Sequence, residues 1–224
     1  MIYLIHTKRG LGVEVWGTQD DLHDLYGTIS QYFSNDKFYD RKGFDSRDKI
    51  ISSFSYELRK AYQKNRLTRE AGDYSYEQVT HYGFQCSWIH FIFVIHALRY
   101  NMRFAVCSKY DLAQILKLEY WLERAMREYD ASGSTNLIPF ISSNLSDECE
   151  HFYMCMRSAN AEYFMLKPGK SSFRKIPELL RIAVAGTPEY DYYRQQLIKD
   201  KNTHLCDIDD LELQDDHINY DIKW

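Results

Sequence analysis

Between Tyr82 and Cys107 apolar residues crowd together as nowhere else in the chain. From Trp88 to about Met102 they fall on every side of a helical projection, the pattern of a helix buried all round. Phe91-Ile92-Phe93-Val94-Ile95 is also β-prone, so a buried strand competes, but the length favours helix. Ahead of this segment, Ile2–His6 and Val13–Trp16 are short β-type runs. Thr7-Lys8-Arg9-Gly10 can turn a hairpin between them, with Leu11-Gly12 leaving the register open. Thr18 and Asp21 make a capping box, followed by Leu22, Leu25, Tyr26, Ile29 and Phe33 at helical spacing. Residues 34–45 read as a polar, aromatic loop. Asp45 can cap a second helix with Ile50, Ile51, Phe54, Leu58, Ala61 and Tyr62 on one face. Residues 64–73 read as charged and irregular, and Tyr74–Cys86 as an extended segment interrupted at Gly83.

Ser108 and Asp111 form a second capping box. Leu112, Ile115, Leu116, Leu122, Met126 and Tyr129 then define a long amphipathic helix, which Ala131-Ser132-Gly133-Ser134 should end. Ser146 should open another helix, with Phe152, Cys155, Met156, Ala159, Tyr163 and Leu166 inward and Lys167-Pro168-Gly169 as its stop. Pro177 and Gly186 frame a short apolar helix, and Thr187 starts a last one carrying Tyr190, Tyr193 and Leu197. The end of the chain, 206–224, is acidic. It reads as a solvated tail or as a late edge strand over Ile218–Trp224.

These elements predict an α+β, helix-rich fold, with a small N-terminal antiparallel sheet packed against a helical core. The expected organisation is a single compact domain over 1–205, with a possible internal boundary near 131–135 and an acidic C-terminal tail over 206–224. The length of 224 residues is enough for a sizeable core.

Composition narrows the classes of function. A net charge of −4 gives no basic face overall, so nucleic acid is an unlikely partner. The apolar run 88–98 is about half the ~20 residues a membrane span needs, and it contains two histidines. The N-terminus reaches charge too soon for a signal peptide. Cys86, Cys107, Cys149, Cys155 and Cys206 are odd in number and fit no CxxC pair, which points to reduced thiols in a cytoplasmic protein. Nineteen tyrosines are the compositional outlier. They serve a core and its rim, or a protein-binding surface.

Candidate chemistry is sparse. His90 and His96, six residues apart, project roughly 120° from each other on a helix, so they do not share a metal on it. Glu148-x-x-His151 is half of a di-iron motif, and no second half occurs. Glu119 and Glu123 lie beside Arg124 and Arg127 and read as a solvated face. Gly169-Lys170-Ser171 resembles the end of a phosphate-binding loop, but Phe164 stands where that loop needs glycine. Cys86, at the edge of the most apolar run, reads as an inert buried thiol. No metal site or cofactor is expected. A site assembled from distant residues would draw on His81, His90, Glu119, Glu148 and His151. A phosphate or nucleic-acid site would draw on the basic stretch Lys167, Lys170, Arg174 and Lys175, continued by Arg181.

The strand Gly12-Val13-Glu14-Val15-Trp16-Gly17, running into Asp20-Asp21-Leu22-His23-Asp24-Leu25-Tyr26, is followed later by Tyr82-Gly83-Phe84. Trp88, Phe91-Ile92-Phe93 and Ala97-Leu98 come next. This layout resembles a family of uncharacterised bacterial proteins known only as a domain of unknown function, over residues 10–130. The resemblance implies a bacterial, cytoplasmic protein of mixed α and β structure and transfers no activity. The leading expectation is a non-enzymatic protein-interaction or regulatory module, of toxin-neutralising type or self-associating. An enzyme and a phosphate or nucleic-acid binder are the alternatives.

Overall fold

A computed structural model of the chain describes residues 1–34, 41–71, 79–142, 145–211 and 222–224. It is helix-rich with a small antiparallel sheet. The N-terminal hairpin forms from β1 (Tyr3–His6) and β2 (Gly12–Gly17), with Leu4 opposite Val15 and His6 opposite Val13. Thr7 fixes its register: Oγ1 accepts from the Leu11 and Gly12 amides at 3.0 and 3.2 Å. β3 (Leu67–Ala71) and β4 (Val79–Ser87) complete the sheet in the order β1-β2-β4-β3. β3 lies in the stretch expected to be irregular. Leu-Thr-Arg-Glu-Ala has weak strand propensity of its own and takes its ladder from β4. β4 runs through Gly83 without a break. A Cβ there would stand 2.4 Å from the Val15 carbonyl oxygen and 2.8 Å from the Trp16 ring, so the glycine permits close approach. Residues 74–78 of the extended segment predicted over Tyr74–Cys86 fall outside the described residues.

Alternation along the strands turns Leu4, Val13, Val15, Phe84 and Cys86 into the core. α1 (Gln19–Ile29) starts at the Thr18–Asp21 capping box. α2 (Phe44–Tyr62) buries Ile50, Ile51, Phe54, Leu58 and Ala61. Its cap is Gly43 at φ +71°, with Asp45 in the first turn; the expected cap sat two residues too late. α3 (Trp88–Asn101) is the central helix. Its apolar residues are buried all round, and Phe91 meets Phe54 edge-on at 5.3 Å. Trp88 Nε1 and the Tyr163 hydroxyl both donate to the Gly10 carbonyl, at 2.9 and 3.0 Å, which pins the hairpin to the helices.

α4 (Lys109–Tyr129) begins at the Ser108–Asp111 capping box. Asp130 breaks it, and the residues expected as a terminator form α5 (Ala131–Leu137), followed by α6 (Pro139–Ser142). α7 (Phe152–Met165) starts six residues after Ser146, whose hydroxyl instead accepts from the Ala185 amide at 2.7 Å. α8 (Lys170–Phe173), α9 (Ile176–Leu179) and a 3-10 turn over Leu180–Ala183 replace the single helix expected around Pro177. α10 (Pro188–His204) is capped by Thr187. A buried cluster runs from Ile2 to Ala183, and a smaller one joins Met154 and Leu197 to Ile208 and Leu211 at the start of the acidic stretch. Most of the expected strand at 218–224 lies outside the described residues; Trp224 packs on Phe164 with ring centroids 6.1 Å apart. Among the described residues no helix is long and apolar enough to cross a membrane.

Candidate functional site

Arg47 organises one corner of the molecule. It is 1% exposed, on α2, and donates to the carbonyls of Gly43, Ser146, Asp147 and Cys149 at 3.0–3.2 Å. Its guanidinium lies between the Tyr100 and Phe152 rings, 4.0 and 4.5 Å from their centroids. Burial pulls its pKa below the ordinary guanidinium value, yet an arginine stays charged in proteins. Four carbonyl oxygens and two ring faces supply the compensation. The effect is to fasten the segment 145–151 across the start of α7.

On one side of that segment lies a polar cleft of about 440 Å³ lined by His96, Arg99, Arg103, Asp147 and Glu148. Its cations are neutralised from within the chain. Arg99 makes a two-pronged bond to Glu119 at 2.5 and 2.6 Å, and Arg103 bonds Asp147 at 2.5 Å. Glu119, read from sequence as part of a solvated face, is only 8% exposed because Arg99 claims it. His96 Nε2 lies 2.6 Å from the Phe140 carbonyl, which requires the proton on that nitrogen; burial pushes its pKa down to about 4. On the other side, Cys149, His151 and Cys155 face α10 across a narrow crevice.

The remaining sequence candidates are dispersed. Glu148 lines the cleft, and Glu119 reaches it through Arg99. His151 lies on the crevice side as the N-cap residue of α7, so Glu148 and His151 precede that helix and share no face of it. His90 packs beside α2 with Nε2 3.0 Å from Ser53 Oγ, and burial lowers its pKa to about 4. His81 sits on the opposite face of the sheet, edge-on to Tyr3, its pKa lowered by burial and by Arg69. No group of three or more His, Cys, Asp or Glu with metal-binding geometry occurs among the described residues. In the basic stretch, Arg174 is engaged by Asp130 at 2.6 and 3.1 Å and Arg181 by Glu189 at 3.0 Å. Lys167, Lys170 and Lys175 are exposed.

α4 departs from its sequence reading in an informative way. Ile115, Leu118, Leu122, Ala125 and Met126 face the core. Leu112 and Leu116, read as inward, are 40% and 45% exposed, and Tyr120, one turn further on, is 58% exposed. Their spacing of four sets a second apolar stripe about 130° around the helix from the buried one. That offset is present in the sequence and distinguishes the two sets. Beside the stripe, a groove of about 270 Å³ runs between α1 and α4, lined by Asp24, Tyr110, Ala113, Gln114 and Lys117. Tyr110, itself 55% exposed, donates its hydroxyl proton to Asp24 at 3.2 Å. The stripe is thus an apolar ridge flanked by polar groups.

The architecture is thus that of an α+β protein in which a four-stranded sheet and a helical layer enclose one all-buried helix. The chain belongs to the family described as domain of unknown function DUF6904, whose profile matches residues 2–224. The match extends well beyond the 10–130 segment that carried the resemblance and takes in the C-terminal third. No curated protein and no solved structure matches the chain.

Proposed function

We propose that this protein is a protein-interaction module, and that the solvent face of α4 pairs with the same face of a second copy. The carrying observation is the exposed stripe Leu112, Leu116 and Tyr120. A two-fold axis at Leu116 sets Leu116 against its own copy, Leu112 against Tyr120, and Lys109 against Glu123, which also pairs with Arg127 of its own helix, so apolar meets apolar and opposite charges meet at the ends. One helix pair with its flanking groove lies at the small end of interface sizes, so the dimer exchanges with monomer. The reading takes residues 1–205 as one domain, because the buried cluster joins the N-terminal strands to the segment around Ala183. It places the protein in the cytoplasm, where five unbridged cysteines are stable.

Light scattering across a concentration series up to about 100 μM tests it. The full chain is expected to shift from monomer toward dimer, and Leu116→Glu to remain monomeric with an unchanged circular dichroism spectrum. A full chain that stays monomeric throughout overturns self-association. A complex with another protein, lost in the same variant, would keep the interaction reading and replace the occupant.

A further inference from the structure

The crevice on the far side of the Arg47 corner holds two thiols that are part of the buried cluster and also meet each other. Cys149 and Cys155 are 1% and 2% exposed, with their sulfurs 3.6 Å apart. We propose that they form a redox-active dithiol, a site at which a hydroperoxide is reduced while Cys149 and Cys155 join as a disulfide.

Three further features of the geometry support this. Cys149 stands three residues before Phe152, the first residue of α7, and so lies near the positive end of a 14-residue helix. The Arg47 guanidinium, fixed by its bond to the Cys149 carbonyl, places a buried positive charge beside the thiol. Cys155 lies within 3.4 Å of the Ile182 carbonyl, so its proton has a resting place when it is not shared with Cys149. The two thiols are thereby made unequal. A hydrogen bond from Cys155, with Arg47 and the His151 amide adding to it, outweighs burial and holds Cys149 below the ordinary thiol value; the same bond and burial hold Cys155 well above it. Cys86, buried without a cation beside it, is raised by burial. The route in is the crevice itself, about 10 Å³ of space between Cys149, Cys155, Tyr190 and Tyr193, with exposed Arg194 at its mouth. That is room for about one water, so the smallest hydroperoxide, hydrogen peroxide, is the probe for this site.

The chemistry balances. The Cys149 thiolate attacks one peroxide oxygen, the O–O bond breaks, and the departing oxygen takes a proton to leave as water or an alcohol. Cys149 is then a sulfenic acid. The Cys155 sulfur attacks that sulfur, the S–S bond forms, and hydroxide leaves with the Cys155 proton as a second water. Two thiols lose two electrons and two protons to the peroxide. The sulfurs close from 3.6 Å to a bond of about 2.05 Å, a movement that side-chain rotation and the start of α7 share.

The test uses the reduced full chain, treated with hydrogen peroxide, alkylated and digested with trypsin. Both cysteines fall in the peptide from Glu128 to Arg157. The expected result is that this peptide loses two hydrogens and resists alkylation until a reductant is added. Cys155→Ser should stop at a Cys149 sulfenic acid trapped by a dimedone probe, and Cys149→Ser should leave Cys155 unlabelled. Circular dichroism of both variants controls for folding. A peptide alkylated at both positions under conditions that oxidise exposed Cys107 overturns the proposal. So does Cys149 driven to sulfinic acid in the unsubstituted chain, with no disulfide formed.

Discussion

α3 and α4 are neighbouring helices, both rich in large apolar residues, and they use them in opposite ways. α3 places Trp88, Phe91, Ile92, Phe93, Val94, Ile95 and Leu98 against protein on every side. α4 buries one stripe and leaves Leu112, Leu116 and Tyr120 in solvent. Burial of apolar area is what stabilises the fold, at about 25 cal/mol per Å². The α3 residues therefore account for stability, and the outer α4 residues contribute little to it. An apolar side chain that a fold leaves outside is available for a different task. The difference between the two helices separates what holds this protein together from what it presents to others.

The largest expected effect comes from opening a hole in α3. Phe91→Ala removes a ring that is 0% exposed and packed on Phe54. It should cost about 3–5 kcal/mol, read as the shift in a urea unfolding curve. A cost below about 1 kcal/mol would mean that the all-buried helix is not the core.

The next test uses the histidines. His90 and His96 both lie on α3, and α4 has none. Both are held neutral, at about 4 against an ordinary value near 6.5, because burial penalises the charged ring. In the window from pH 6.5 down to 4 the unfolded chain binds these protons and the folded chain does not, so stability falls as pH falls. Asp209 acts the other way. Burial raises it to about 6, so the folded chain holds its proton between about 3.8 and 6. His90 and His96 against one carboxyl leave a net loss of at least about 1.4 kcal/mol per pH unit near pH 5, since burial lowers His81 and His151 as well. Urea midpoints at several pH values check the sign. His96→Gln should flatten the profile and Asp209→Asn should steepen it.

A smaller effect, about 1 kcal/mol, is expected for Ser108→Ala, which removes the hydroxyl that accepts from the Asp111 amide at the start of α4. Thermal melts measure it. This cap illustrates what sequence can carry. Both capping boxes, the hairpin, the all-round pattern of α3 and the α+β class are local signals, read from residues a few positions apart. β3 was not readable, because Leu67–Ala71 becomes a strand through pairing with β4. The Arg47 corner was not readable either. Arg47 binds carbonyls 99, 100 and 102 residues away, and nothing in its own neighbourhood marks it as buried. Cys149 and Cys155 match no spacing motif; they meet because α7 starts between them, later than Ser146 suggested. Glu119 was assigned to solvent because its partner Arg99 comes from α3 and not from the next turn of α4.

The smallest effect on folding is the most discriminating for function. Leu116→Glu replaces a side chain that is 45% exposed, so its cost to the monomer should stay within about 0.5 kcal/mol. On the two-fold axis proposed here, the same change sets two like charges against each other at the centre of the interface and removes its central apolar contact. Folding and association should therefore separate: the urea midpoint moves little, while the dimer fraction collapses. Leu118→Glu, two positions away on the buried stripe, should do the reverse and unfold the chain. If Leu116→Glu destabilises the monomer as Leu118→Glu does, the outer stripe belongs to the core, and the distinction between α3 and α4 fails at the centre of that stripe.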